Sequence, residues 1–156
     1  MQASPDIITF TAAGVVYGVA VGQVREILDM QPLAPVPNAP RHLLGSIDIR
    51  GESLIVVDLR TMLGLPVHPD TPQTRIIVVW VARNGRSSVV GLRTDQVIEV
   101  LRLDGPIGPL LGMDLLDWPG GGVCGVGRHD GKALGILDLA QLLSAFAADS
   151  ANSAAA

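Results

Sequence analysis

Residues 51–59 read GESLIVVDL, and residues 131–139 read GKALGILDL. Both stretches begin with glycine, continue as an apolar run and end in Asp-Leu. A second pair occurs in the same order, because residues 18–28 read GVAVGQVREIL and residues 91–101 read GLRTDQVIEVL. Repeats that recur in one order indicate an internal duplication, in which each half of the chain contributes a unit of similar plan.

The composition favours β-structure in both halves. Apolar residues make up 48% of the 156-residue chain and aromatic residues only 3%, so Val, Leu, Ile and Ala must form the interior. Val and Ile favour strands, and Gly14, Gly51 and Gly85 lie between strand-like runs as hairpin turns. We therefore expect a mainly β fold of two packed barrels of about five strands each. Short helices are expected around residues 23–28 and 59–63, and a C-terminal helix over residues 139–146.

The length suits a single domain. We expect it to span residues 1–146, with lobe one over roughly residues 7–64 and lobe two over roughly residues 75–146, and with strand exchange between the lobes allowed. A long irregular loop is expected over residues 104–122, which are rich in Gly and Pro. Residues 147–156 are rich in Ala and Ser and are expected to be a disordered tail.

Charge and hydropathy argue against two classes of partner. The net charge is −4 and no Lys/Arg cluster is present, so nucleic acid is not an expected partner. The longest apolar run, residues 76–82, is far shorter than the ~20 residues of a membrane helix, and direct membrane insertion is not expected. The N-terminus lacks the features of a signal peptide and the chain has one cysteine, which together predict a cytoplasmic protein.

No catalytic residues are predicted. Asp58 and Asp138 occupy matching positions and could suggest an aspartic protease, but the residues that follow them are Leu59-Arg60 and Leu139-Ala140 instead of the small residues that such sites need. Helix N-capping explains both aspartates, and Asp138 has capping-box spacing to Gln141.

No metal site or cofactor is predicted either. His42, His68 and His129 are far apart in the sequence and have no second His or Cys at ligand spacing. Cys124 lies in a strand-like run, which favours a buried, unreactive thiol.

Glu26 and Arg50 have two possible interpretations. Both could be ordinary solvated charges or a local ion pair of little energetic weight. Alternatively, Arg50 is presented outward by its hairpin turn, and Glu26 follows Val24 by two positions, so that an apolar contact and a charge border the same groove.

The motifs resemble the signature of CheW-like domains. The resemblance is carried by residues 24–28 (VREIL), 35–40 (PVPNAP), 45–51 (GSIDIRG) and 55–60 (IVVDLR). Residues 91–101 and 137–139 are similar to the second half of that family, and the resemblance runs from about Ile7 to Leu143. It implies two five-stranded SH3-like β-barrels joined by a shared apolar core.

The resemblance also implies a non-enzymatic scaffold in bacterial chemotaxis signal transduction. Such proteins couple chemoreceptors to a CheA-type histidine kinase, binding the kinase regulatory domain through barrel edges and the receptor's cytoplasmic tip between the barrels. They are recruited in this way to membrane receptor arrays. The family positions associated with receptor binding are Val24, Glu26, Gly45 and Arg50 here, whereas kinase-binding residues are not assigned.

One departure from the family pattern concerns receptor choice. The family commonly has Asn before Leu-Arg-Gly, whereas residues 48–51 read DIRG. The additional carboxylate of Asp48 beside Arg50 could alter which receptors are accepted, and the sequence does not determine its effect. An adaptor of a pilus or other alternative chemosensory system, or an unrelated peptide-binding double barrel, remain the alternatives.

Overall fold

The computed structural model describes residues 4–83, 85–110 and 122–144. Residues 111–121 of the predicted loop, residues 145–146 of the predicted final helix and the predicted tail lie outside this description. The strands are β1 (Asp6–Ala12), β2 (Val15–Ala20), β3 (Val24–Asp29), β4 (Leu43–Ile49), β5 (Glu52–Asp58), β6 (Arg75–Arg83), β7 (Arg86–Thr94), β8 (Gln96–Arg102), β9 (Gly108–Pro109), β10 (Val123–His129) and β11 (Lys132–Leu137). A 3-10 turn covers Val21–Gln23, the helix α1 covers Leu59–Met62, and residues 139–144 are helical.

Two sheets contain all of these strands. Sheet A has the order β8-β1-β2-β11-β10-β9, and sheet B has the order β3-β6-β7-β5-β4. The two-residue β9 is an addition to an otherwise five-stranded sheet A. The expectation of a mainly β fold with two sheets of five main strands is confirmed.

The two halves of the duplication are interleaved. Sheet A takes its β1–β2 hairpin from the first half and β8, β10 and β11 from the second, whereas sheet B takes its β6–β7 hairpin from the second half and β3, β4 and β5 from the first. Each hairpin pairs in parallel on one side, β2 with β11 and β7 with β5, and antiparallel on the other, β1 with β8 and β6 with β3. Each sheet is therefore assembled from both halves in the same spatial order.

Matching glycines lie in the two parallel pairs. Gly18 lies opposite Ile136 on β11, and Gly91 lies opposite Val56 on β5. A Cβ on Gly18 would collide with the side chain of Ile7, and a Cβ on Gly91 would lie 2.9 Å from Ile76 Cγ2. The repeated glycine is therefore required by close packing within each hairpin, where Ile7 of β1 and Ile76 of β6 lie against it.

The segment that follows the first repeat is a strand, and the predicted helix around residues 23–28 is wrong. Only Val21–Gln23 forms a helical turn before β3 begins at Val24. β3 pairs antiparallel with β6, and this long-range pairing overrides the short amphipathic pattern.

The apolar core has three parts. Sheet B encloses its own cluster, with Ile47, Leu54, Val56, Ile76 and Val78 buried. Sheet A encloses a second cluster, with Ile7, Leu103, Leu134 and Ile136 buried. A larger cluster joins the two sheets and contains, among others, Phe10, Val19, Val57, Ile77, Leu92 and Leu137. The expected shared core is therefore confirmed, and within the described residues no helix is long and apolar enough to cross a membrane.

Candidate functional site

An ionic network lies where the two ends of sheet B approach each other. β3 is the first strand in the order of this sheet and β4 the last. Glu26 on β3 accepts hydrogen bonds from Arg50, which follows β4, with an Nη1–Oε1 distance of 3.3 Å and an Nη2–Oε2 distance of 2.5 Å. Arg25 donates from Nε to Glu26 at 3.1 Å and from Nη1 to Glu52 at 2.9 Å. The structure thus brings together two predicted site residues, Glu26 and Arg50.

The charges in this network stabilise one another. The hydrogen bond from Arg50 is the main cause that lowers the pKa of Glu26, and the bond from Glu26 raises the pKa of Arg50. The side chain of Arg50 is 68% exposed, whereas those of Arg25 and Glu26 are 20% and 21% exposed. Arg50 is therefore the charge that the network presents most fully to a partner.

A β-bulge at Arg25 directs the side chains of β3. Val24 pairs with Val79 and Glu26 with Val78, so Arg25 is the extra residue. Val78 and Val79 are neighbours and point to opposite sides of the sheet, and so do Val24 and Glu26. Val24 packs against the shared core. The expectation that Val24 and Glu26 border one groove is wrong, because residues two apart share a face only where no bulge intervenes.

The turn after β4 fixes the position of Arg50. Arg50 and Gly51 have φ values of 50° and 81°, the pattern of a two-residue type I′ hairpin turn, whose twist matches that of the flanking strands. The predicted hairpin between β4 and β5 is confirmed. Arg50 consequently projects from a short, well-defined turn.

Gly45 lies beneath the proline-rich segment. Ala34 of that segment exchanges two backbone hydrogen bonds of 2.8 Å with Ser46 on β4. Gly45 is buried, and a Cβ there would lie 2.6 Å from the carbonyl oxygen of Ala34. The visible role of Gly45 is therefore to admit this segment against the strand.

Asp48 does not take part in the ionic network. It is exposed on β4, opposite Ser53 of β5. Within the described residues, Arg50 pairs with Glu26 and not with Asp48. Any influence of Asp48 on receptor choice would therefore be exerted by its own exposed carboxylate.

Asp58 neutralises a buried guanidinium. It stands at the N-cap position of α1 but makes no side-chain bond to a backbone N–H there. Its Oδ2 accepts a bond of 2.8 Å from the Thr61 hydroxyl, and its Oδ1 lies 3.3 Å from Nη1 of Arg93. The side chains of Asp58 and Arg93 are 2% and 6% exposed. The capping prediction is wrong for Asp58, because the parallel neighbour β7 places a cation beside it.

Asp138 caps the final helix, as predicted. Its Oδ1 accepts a hydrogen bond of 3.0 Å from the backbone N–H of Gln141. This bond satisfies one of the amide groups that the first helical turn leaves unpaired. Asp58 therefore binds Arg93 and Thr61, whereas Asp138 caps a helix. The two carboxylates do not pair with each other as in an aspartic protease.

A second ion pair, which is partly buried, was not found from the sequence. Arg60 on α1 donates to Asp95 with distances of 2.9 Å (Nε–Oδ1) and 2.6 Å (Nη2–Oδ2), and the backbone N–H of Ala13 donates to the same carboxylate at 2.8 Å. Burial alone would raise the pKa of Asp95, but the bonds from Arg60 and Ala13 hold it below its usual value. This contact connects α1 to the β1–β2 turn of sheet A. The one sequence difference that could have indicated this pair is Asp95, which stands in the repeated motif where the other half has Gly22.

A groove of about 820 Å³ lies beside the Asp58–Arg93 pair. Its walls are residues 30–33 and 67–72, and Leu44 also lines it. Arg93 holds one wall through Asp70 (Nε–Oδ1 2.8 Å) and the carbonyl oxygen of His68 (2.9 Å). The lining is mostly apolar and offers a place for packing contacts.

One group of possible metal ligands occurs in the described residues. Ligand atoms of Asp104, His129 and Asp130 lie within 4.8 Å of one another. Turn contacts explain their arrangement, because Asp130 N–H donates to Asp104 Oδ2 at 3.0 Å and His129 Nδ1 lies 2.9 Å from the carbonyl oxygen of Arg102. Sequence spacing could not reveal this group, since Asp104 is distant from the β10–β11 turn.

Cys124 is exposed, and the expectation of a buried thiol is wrong. It is the extra residue of a bulge between Val123 and Gly125 in β10. Partial desolvation nevertheless raises the pKa of its thiol, which disfavours the nucleophilic thiolate.

Comparison with known proteins identifies the fold and the family pattern. A family model described as a CheW-like domain matches residues 6–147. The chain is 36% identical over 96 residues to a chemotaxis protein CheW from Rhizobium meliloti (strain 1021), which covers 62% of this chain and 59% of that protein. It is 37% identical over 95 residues to the chemotaxis protein CheW of Bacillus subtilis (strain 168), covering 61% and 58% of the two chains.

A solved structure matches over a longer region. The scaffolding protein TtCheW from Thermoanaerobacter tengcongensis superposes with a TM-score of 0.75 and 27% identity, over 89% of this chain and 92% of that chain. This match confirms the fold of two SH3-like barrels. The sequence matches to the two curated relatives, by contrast, span just under six tenths of each relative's length.

Proposed function

This chain belongs to the CheW-like domain family, and from that premise we propose that it is a non-enzymatic adaptor that couples chemoreceptors to a CheA-type histidine kinase in bacterial chemotaxis. Its family relatives are chemotaxis proteins, and its structural match is a scaffolding protein. The family is one of scaffolds and not of enzymes. The adaptor works by presenting two surfaces at once, one for each partner.

The receptor surface is centred on the Glu26–Arg50 pair. This pair is the single observation that favours the proposal over two unrelated solvated charges, because it joins the two end strands of sheet B and presents a mostly exposed guanidinium. Guanidinium groups pair well with carboxylates and carbonyl oxygens of a partner. Gly45, which admits the proline-rich segment against β4, and Val24, which packs against the shared core from the other face of β3, are the other two proposed receptor-binding positions.

The kinase regulatory domain binds elsewhere on the barrels. A scaffold must hold both partners together, so a change at the receptor surface should leave kinase binding intact. The purified chain should raise autophosphorylation of the kinase when receptor is present. It should carry no hydrolytic or transferase activity of its own.

Charge reversal at the network tests the assignment. We expect Arg50→Glu and Glu26→Lys each to weaken binding of a soluble receptor-tip fragment at least tenfold, because each change places like charges together and alters the charge offered to the receptor. The measurement is a titration of each folded variant against the receptor fragment and, separately, against the kinase regulatory domain.

Glu99→Lys is the matched control, since Glu99 occupies the equivalent position in the second half and has no ion pair within the described residues. It should bind the receptor normally. Equal loss of both partners in the Arg50 and Glu26 variants would indicate a structural role instead. Capture of a pilus-system kinase in place of a flagellar one would assign the adaptor to an alternative array.

A further inference from the structure

Trp80 is an exposed aromatic residue in a chain that has very few. Of the two tryptophans in the sequence, Trp80 lies on β6, and Trp118 lies outside the described residues. Ile76 and Val78, on the same side of β6, are buried in the core of sheet B, whereas Trp80 is 42% exposed. Trp80 therefore extends an interior row of side chains to the surface. Exposed tryptophans of this kind are frequent energetic centres of protein interfaces.

Arg25 connects Trp80 to the ionic network. Its guanidinium carbon lies 5.8 Å from the centroid of the Trp80 ring, within range of a cation–π interaction. The same guanidinium bonds Glu26 and Glu52, and Glu26 in turn bonds Arg50. The bulge at Arg25 makes this possible, because it places Arg25 out of the regular alternation of β3.

We propose that Trp80 and Arg50 form one continuous docking surface for the receptor's cytoplasmic tip, in which Trp80 packs against an apolar side chain and Arg50 pairs with a carboxylate of the same partner. The proposal rests on the proposed adaptor function and adds Trp80, which the family resemblance does not assign. Charge supports this occupant, since Arg50 is the most exposed charge of the network. Arg25 contacts Trp80, Glu26 and Glu52, and these contacts keep the Trp80 ring at a constant position relative to Arg50.

Trp80 fluorescence tests the proposal in the folded, full-length chain. In a Trp118→Phe variant, Trp80 is the only tryptophan and reports its own surroundings. A soluble fragment of the cognate receptor's cytoplasmic tip should shift its emission to shorter wavelength and protect it from acrylamide quenching. The kinase regulatory domain, titrated separately, should do neither.

Substitution gives a second readout. Trp80→Ala should weaken receptor binding at least tenfold without changing kinase binding, and Trp80→Phe, which retains an aromatic ring, should lose less. The direct fluorescence measurement does not require replacing Trp80, so it remains decisive if Trp80→Ala fails to fold.

The outcomes separate this inference from the adaptor function. If Arg50→Glu abolishes receptor binding but Trp80 emission is unchanged at saturation, the adaptor function stands and Trp80 is not at the interface. If the wild-type chain does not bind the receptor fragment at all, both proposals fail. A spectral shift that requires only the kinase domain, or only a higher concentration of the chain itself, would assign Trp80 to that partner and overturn the inference.

Discussion

Asp58 and Asp138 occupy the same position of the duplicated motif and have different roles. Each ends a strand that pairs in parallel with a strand of the other half. Asp58 has Arg93 beside it and forms a buried ion pair, whereas the residue equivalent to Arg93 in the other half is Ala20. With no cation there, Asp138 caps the final helix. The comparison shows that the neighbour across the sheet decides the role of a repeated residue.

The equivalent strands β3 and β8 also share a backbone plan but differ in their ion pairs. Both strands carry a bulge three residues before the last residue of the repeated motif, with Arg25 unpaired in β3 and Ile98 unpaired in β8. The hairpin turns that correspond to each other carry Arg50 in one half and Asp130 in the other. Glu26 therefore gains a cationic partner, and Glu99 does not gain one within the described residues. The backbone plan is shared, but only one half presents the ionic network.

The largest expected effect is the difference in unfolding free energy between alanine variants of the two aspartates. Asp58→Ala should lower the free energy of unfolding by about 3 kcal/mol, because it removes one partner of a buried ion pair. Asp138→Ala should cost only about 1 kcal/mol, the usual loss for an N-cap. Urea unfolding of both variants under one set of conditions measures the difference. Equal losses would show that Arg93 is fully compensated by Asp70 and the carbonyl of His68.

A smaller effect is expected at the matching glycines Gly45 and Gly125. Gly45→Ala should cost about 2 kcal/mol, since the new Cβ would approach the backbone oxygen of Ala34 and the φ of 156° is unfavourable for alanine. Gly125→Ala should cost less, because its nearest obstacle is the side chain of Ile107, the backbone oxygen of Gly108 is farther away at 2.9 Å, and the φ of Gly125 is not positive. Thermal melts of the two variants give the order, and a greater loss at Gly125 would contradict it.

The third comparison concerns pH and the Arg60–Asp95 pair, whose counterparts in the other half are Ala140 and Gly22. Because the folded-state pKa of Asp95 is lowered, its contribution is present above the ordinary carboxyl pKa and is lost as the pH falls through the folded value. Asp95→Asn should therefore lower the unfolding free energy by about 1.5 kcal/mol at pH 7. Urea unfolding at pH 7 and pH 3 should show that the variant loses less stability on acidification than the wild type. Parallel pH profiles would exclude this role for Asp95.

Local signals in the sequence predicted much of the fold. Glycines in two-residue turns predicted the hairpins at Gly14 and Gly51, and the spacing of Asp138 and Gln141 predicted a helix cap. The repeated motif predicted two similar units. Family resemblance selected Glu26 and Arg50, which the structure joins by hydrogen bonds. The turn and cap predictions succeeded because they depend on residues close together in the chain.

The tertiary structure decided the features that depend on pairing between distant strands. Each sheet takes its central hairpin from the other half, so Arg93 reaches Asp58 and Arg60 reaches Asp95 although 35 residues separate each pair. The bulge at Arg25 reversed the relation between Val24 and Glu26, since a single unpaired residue changes which side of a sheet the next side chain faces. The sequence by itself determined most of the strands, the turns and the duplicated plan. Strand pairing and register, which no local pattern specifies, determined which charges meet and which side chains face a partner.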